Sequence, residues 1–175
     1  VLVALSAFFS ASETALNSIN KIRMKNMADN GDQRAAKTLE VAEKYESMIS
    51  TILIGNNIVN IGSASIATTL FTIWLGADKG AAISTVVMTI VVLIFGEVLP
   101  KNYAKANADS LAMTVAGPIS VLMVIFKPLS AVLNFLSGIM TKLTGGKEDK
   151  PSVTEEELKY LVESIEEEGV LEEKI

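Results

Sequence analysis

The chain has 175 residues, is 50% hydrophobic and carries a formal net charge of −5. It contains no cysteine and no histidine, which excludes disulfides, thiol chemistry and the commonest transition-metal ligands, so a bound metal would have to be a hard, oxygen-seeking one. Only 6% of the residues are aromatic and they do not interleave with a basic patch, which removes a nucleic-acid reading.

Apolar residues collect in blocks. Residues 48–75 carry no charge and neither do 81–95, whereas the charges gather in 20–47 and 147–175. Uncharged blocks of this kind approach or exceed the ~20 residues that a helix needs to cross a ~30 Å hydrocarbon core. The pattern predicts an all-α membrane protein. The first span covers about 1–19, with an interruption at Ser10–Thr14. A charged amphipathic connection follows over 20–47, turning at Asn30-Gly31-Asp32. The second span covers 48–75, a tight loop 76–80, and the third span 81–99. After the polar residues 101–110, the block 111–143 is apolar again and is divided at Gly117-Pro118 and Lys127-Pro128. Its halves are short for spans and read as a helix pair at the membrane surface, against the alternative of a fourth crossing. Residues 144–175 read as a linker and an acidic helix opened by the capping-box pattern at Thr154. Val1 falls inside an apolar helix and Ile175 just after the acidic helix has begun, so the sequence is expected to be a piece of a longer protein; the opening run lacks the basic region of a signal peptide.

Lys and Arg set the orientation. The 20–47 connection carries six and the 76–80 loop one, so the positive-inside rule places 20–47 in the cytoplasm. Each span carries a polar cluster, and a charge at mid-membrane costs roughly 2.5–3.5 kcal/mol on insertion scales. On the first span, Ser6 and Ser10 share a helix face, and Ser10 with Glu13 has capping-box spacing. A helix restart at Ser10 would free carbonyls near Ser6. The alternative is that the serines pack helices and Glu13 lies at the aqueous edge. On the second, Asn56 and Asn60 project from one face, while Asn57, rotated by about 100°, is expected to cap or to bond a neighbouring helix. On the third, Pro100 has no N–H, so the Gly96 carbonyl loses its helical donor beside Glu97. The alternative there is a helix that ends at Pro100 with Glu97 paired to Lys101. Hydroxyls, amide oxygens, carbonyls and one or two carboxylates suit Mg²⁺, which takes an octahedral oxygen set, but Na⁺ could use them too.

The runs S-A-F-F-S-A-S-E-T-A-L, L-I-G-N-N-I-V-N and F-G-E-V-L-P-K, in this order, resemble the transmembrane domain of the CNNM/CorC magnesium transporters. The resemblance implies a transmembrane domain over 1–143, with three membrane helices and a cytoplasmic-side juxtamembrane pair, and an acidic helix in 144–175 leading to a CBS-domain pair that this chain lacks. It implies a homodimer in the lipid bilayer that exports Mg²⁺, with Ser6, Ser10, Asn56, Asn60, the Gly96 carbonyl and Glu97 as ligands and Pro100 as a shaping residue. Glu13 and Asn57 resemble the bacterial and archaeal pattern, which implies a prokaryotic cell-membrane protein; they are assigned shaping roles. Na⁺ is the candidate coupling ion. A membrane Mg²⁺ sensor that transports nothing is the alternative class. An enzyme is not expected, because the spans hold no Ser–Lys or Asp–Asp pair and no histidine.

Overall fold

The computed structural model describes residues 1–143. Contacts group Val1–Leu136 into one compact unit and Ser137–Ile175 into another. The linker and acidic helix expected over 144–175 lie outside the described residues. Helix α1 (Leu2–Asn17) is followed by α2 (Lys21–Asp29), α3 (Gln33–Glu43), α4 (Tyr45–Leu75) and α5 (Ala77–Val91). A π-helical stretch (Val92–Val98) then leads into α6 (Leu99–Ala106), α7 (Ala108–Ile125) and α8 (Lys127–Leu143). No strand occurs among the described residues, and the all-α membrane architecture holds.

Four local expectations are corrected. First, α1 runs unbroken through Ser10–Thr14. Ser10 Oγ has no hydrogen-bond partner, so it caps nothing. The neighbouring Phe9, Ala15 and Leu16 are buried on the continuous helix, and opening backbone bonds in an apolar medium is costly. No carbonyls near Ser6 are released. Second, the 76–80 loop shrinks to Gly76, whose φ of 85° reverses the chain, and α5 starts at Ala77. The reversal is tight because Gly80 lies on the α4 backbone: a Cβ there would stand 2.5 Å from Thr72 Cα. Third, the helix does not end near Pro100 but passes it through the π-helical stretch and continues to Ala106. Fourth, α7 is not divided at Gly117-Pro118. Both residues face outward, while Val115, Ala116, Ile119 and Met123 hold the other face in the core. The division at Lys127-Pro128 is present, where α8 begins.

The expected turn at Asn30-Gly31-Asp32 forms as its residues dictate. Gly31 takes a φ of 95°, and the Asp32 carboxylate accepts from the Arg34 and Ala35 N–H groups at 2.8 and 3.2 Å. Asn20 caps α2 in the same way, accepting from the Arg23 N–H at 2.9 Å.

Tyr45–Leu75, Ala77–Ala106 and Ala108–Ile125 are long and apolar enough to cross a membrane, and α1 with α2 forms an apolar pair bent by 85°. Helix α4, with 31 residues, spans ~46 Å at 1.5 Å per residue. Its outer residues Ile58, Ile61, Ile66, Ile73 and Trp74 are exposed, as are Val86, Ile90, Leu93 and Phe95 on the following helix. A helix apolar on its outward face requires an apolar solvent. The core lies instead where α1, α4 and α7 meet, around Phe9, Leu16, Met48, Ile52, Val115 and Ile119.

Both ends of α7 stand at the polar connection between α1 and α4. At its start, the Asp109 carboxylate accepts from the Asn20 N–H at 3.0 Å and from Arg23 Nη1 at 2.9 Å. Near its end, Ser120, Met123 and Val124 share a cavity of about 310 Å³ with Lys37, Glu40, Lys44 and Ser47.

Candidate cation site

Close contacts fix the direction of each helix at the site. A Cβ on Gly55 would stand 2.3 Å from the Phe9 ring, and Ser6 Oγ donates to Asn56 Oδ1 at 3.2 Å, so α1 and α4 run antiparallel. A Cβ on Gly96 would stand 2.8 Å from Ser6 Oγ, and Lys101 Nζ lies 3.4 Å from Glu13 Oε2, so the π-helical stretch and α6 run parallel to α1. The three segments therefore alternate in direction, and the polar cluster of each arrives at one depth.

Ser6 is wholly buried and Gly96 is buried against it. Asn60 Nδ2 donates to Asn56 Oδ1 at 3.4 Å, which places the i, i+4 pair of α4 side by side with Ser6. Asn56 Oδ1 thus accepts from both sides, and the Asn60 Oδ1 atom is buried with no partner. In an octahedron with metal–oxygen distances of about 2.1 Å, adjacent ligands stand about 3.0 Å apart. The separation of Ser6 Oγ and Asn56 Oδ1 is close to that edge.

Glu97 follows Gly96 and is half-buried, with no hydrogen bond or ion pair to any described residue. The surface pairing to Lys101 that sequence spacing allowed is absent, because Lys101 reaches Glu13 on α1 instead. Glu13 is thereby occupied as an ion-pair partner rather than aimed at the Ser6–Asn56 group. In the π register the Leu99 N–H bonds to the Ile94 carbonyl, five residues back. Returning to the α register skips one carbonyl, and Pro100 withholds a donor from another. At least one carbonyl among Phe95, Gly96 and Glu97 is left without a helical donor of its own. The expectation of a released carbonyl beside Glu97 rested on Pro100 alone; the π register adds to it.

Among the described residues, five buried side-chain oxygens have no partner: those of Ser10, Ser12, Thr51, Asn60 and Ser130. Four of them lie on α1 and α4. By contrast the hydroxyls of Ser63, Ser65 and Thr69, farther along α4, and of Thr85 and Thr89 on α5 all donate to the carbonyl four residues back. An unpaired buried hydroxyl costs ~1–3 kcal/mol, so Ser10, Ser12 and Thr51 need a reason that packing does not supply. Sequence reading named Ser10 but missed Thr51, whose position four residues before Gly55 on the α1-facing side was its one signal. Asn57 departs from expectation: exposed, it donates to the Leu53 carbonyl of its own helix at 2.9 Å and bonds no neighbour. No group of three His, Cys, Asp or Glu converges among the described residues, so a cation here would be held mainly by neutral oxygens.

Comparison with known proteins agrees with the motifs. A family model described as the Cyclin M transmembrane N-terminal domain (CNNM) matches residues 1–174. A UPF0053 protein of Haemophilus influenzae is 36% identical over 164 residues, covering 93% of this chain and 39% of that protein. The UPF0053 inner membrane protein YfjD of Escherichia coli is 36% identical over 161 residues, 90% of this chain and 37% of its own length. A chloroplastic DUF21 domain-containing protein of Arabidopsis thaliana is 33% identical over 175 residues, 99% of this chain and 26% of its own length. The chain spans about a quarter to two-fifths of the length of these three relatives. Its helices and its relatives make it a portion of a multi-pass membrane protein, and it belongs to the CNNM transmembrane-domain family.

Proposed function

We propose that the chain is the ion-translocating part of a Mg²⁺ exporter in a prokaryotic cell membrane. A dehydrated Mg²⁺ would be held by Ser6, Ser10, Asn56, Asn60, the Gly96 carbonyl and Glu97 and exposed alternately to the two sides. The observation that supports this most is the meeting of Ser6, Asn56 and Gly96 from three separate segments, with Glu97, which has no partner among the described residues, next to Gly96 in the chain. Two neutral oxygens stand 3.2 Å apart, a separation that an octahedral edge would need to change little, buried oxygens of Ser10 and Asn60 have no partner, and Glu97 would supply charge. Binding would replace the Ser6–Asn56 hydrogen bond by two oxygen–metal contacts. In this reading the 20–47 connection faces the cytoplasm, and α7 lies along that surface, since both its ends are tied to the same connection. The protein would act as a homodimer with Na⁺ as the candidate coupling ion.

One relative, 26% identical over 186 residues, is named a polyamine export protein. A polyamine carries several separated ammonium groups, each needing acceptors, and the cluster here offers one unpaired carboxylate; this favours a single compact ion as substrate. Liposome flux is the test. Wild-type protein should move Mg²⁺ and not a polyamine, and Glu97→Gln should abolish flux and weaken Mg²⁺ binding measured by calorimetry at least tenfold. Undiminished binding and flux in Glu97→Gln would refute the site, and binding without flux in the wild type would make the protein a sensor.

A further inference from the structure

The cavity of about 310 Å³ near the end of α7 collects cationic side chains from α3 and from the starts of α4 and α8. Lys37, Lys44 and Lys127 line it with the single carboxylate of Glu40, and three positive groups against one negative leave a net charge of +2. Lys37 and Lys44 each spend a donor on Glu40, at 2.9 and 2.7 Å, but an ammonium group has three. Lys127 pairs with no described residue, and neither does the Ser47 hydroxyl. Lys44 gives α4 no side-chain cap, so the positive end of that helix also opens beside the cavity. Pairing with Glu40 accounts for Lys37 and Lys44 as a surface cluster; it leaves Lys127 and Ser47 unexplained. Together these groups call for an anion.

Farther along, the same face of α4 turns apolar. Ile54, Ile58 and Ile61 follow Ser47 by 7, 11 and 14 residues, which keeps all three within about 40° of it around the helix. With Leu53, and with Leu129 and Leu133 of α8, they line an open groove of about 590 Å³. Its one polar side chain, Asn57, donates to the Leu53 carbonyl of its own helix. The two helices that wall the groove thus also supply the cavity, near their N-termini, and Ile54 lies ~10 Å beyond Ser47 along α4.

We propose that cavity and groove together bind one anionic phospholipid, its phosphate against Lys37, Lys44, Lys127 and Ser47 and an acyl chain along the α4–α8 groove. A free phosphate ion would use the cavity alone, whereas a lipid uses both and is the medium around a membrane-spanning chain. Basic pockets between membrane helices suit anionic headgroups for this reason. The site stands apart from the Ser6–Asn56 cluster and does not depend on the transport reading.

The test titrates the purified chain in detergent with phosphatidylglycerol and, separately, with phosphatidylcholine, and reads bound lipid by native mass spectrometry. Phosphatidylglycerol should bind at least fivefold more tightly. Lys127→Gln, at an exposed side chain that bonds nothing, should cut that preference at least threefold, while Lys25→Gln, an exposed lysine outside the cavity, should leave it unchanged. Ile58→Trp fills the groove from a position 56% exposed, and should weaken phosphatidylglycerol binding at least threefold. Equal affinity for the two lipids, or equal effects of the two lysine substitutions, overturns the proposal. Glycerol 3-phosphate should not displace the lipid; if it competes equally, the ligand is a soluble phosphate and the lipid assignment fails. If Ile58→Trp leaves lipid binding intact and instead breaks a dimer of the chain, the groove is an interface between copies, which also overturns it.

Discussion

Gly96→Ala tests the site through the contact of Gly96 with Ser6. The added methyl would lie 2.8 Å from Ser6 Oγ, 3.3 Å from Ser6 Cβ and 3.4 Å from Val92 Cγ1. Ser6 is wholly buried, so its hydroxyl has no open space to move into and must swing off Asn56 or push α1 outward. Overpacking costs ~1–3 kcal/mol and the lost hydrogen bond ~0.5–1.5 kcal/mol, against a gain of ~1 kcal/mol in helix propensity from glycine to alanine. Stability without ion should therefore fall by about 0.5–3.5 kcal/mol, and the protein should still fold. The cation pays a different penalty, because Ser6 and Asn56 no longer stand at an octahedral edge, and a tenfold loss of Mg²⁺ affinity is expected. At a concentration of 100 Kd the ion stabilises wild type by ~2.7 kcal/mol; with Kd raised tenfold the same concentration gives only ~1.4 kcal/mol. Thermal unfolding in detergent with and without Mg²⁺ reads this as a halved shift. Gly117→Ala, where an added Cβ meets nothing within 4 Å, should leave the shift intact. A full Mg²⁺ shift in Gly96→Ala would refute the reasoning.

Gly55→Ala should lower Tm sharply, because its Cβ would overlap the Phe9 ring, which is 6% exposed; Phe9→Leu in the same chain should recover part of the loss, and no recovery would show the clash is elsewhere. Asn56→Ala should weaken Mg²⁺ binding at least tenfold while Asn57→Ala, which loses only a bond to its own Leu53 carbonyl, should leave it within twofold; calorimetry on both separates the site from its neighbour. Glu40 accepts from Lys44 at 2.7 Å and from Lys37 at 2.9 Å, and these two ammonium groups hold its carboxyl at about 2, below the ordinary 4.5. The folded value is depressed, so the contribution is present above pH 4.5 and lost as pH falls toward 2. The Tm gap between wild type and Glu40→Gln should be constant above pH 5 and close below pH 4.5, and a gap that widens with acid would contradict the pairing.

The membrane class and the elements of the fold were legible because charge and apolarity are segregated along the chain, and no tertiary information is needed to read that. The candidate site residues are conspicuous in the sequence for a related reason. A polar group in a span is costly wherever it sits, so Ser6, Asn56, Asn60 and Glu97 stand out from their apolar neighbours before any contact is known. Local propensity misled wherever packing overrode it. Ser10–Thr14 has the spacing of a helix start, yet buried Phe9, Ala15 and Leu16 keep α1 whole. Gly117-Pro118 has the residues of a break, yet both lie on the outward face of a helix whose other side is in the core. The partner of Lys101 could not be read at all. Glu97 and Glu13 are both carboxylates, one four residues away in sequence and the other 88, and only the parallel packing of α1 with α6 decides for Glu13.

That choice has a consequence for the charge at the site. A Lys101–Glu97 pair would neutralise the carboxylate nearest Gly96, and the cluster would then be a set of neutral oxygens with little hold on a divalent ion. By taking Lys101 away, Glu13 leaves Glu97 as a half-buried carboxyl group without an ion-pair partner, next in the chain to at least one carbonyl without a helical donor. The π-helical stretch makes this geometry possible. An α-helix advances about 100° per residue, so the extra residue in a π turn rotates all that follows by about that angle relative to a regular α-helix. It sets the direction of Lys101 relative to the residues before the stretch, while Gly96 lies against Ser6 within it. The same widening carries the chain past Pro100 without ending the helix. In the proposed site Glu13 would therefore raise cation affinity without touching the ion, by removing the lysine that would otherwise compete for Glu97.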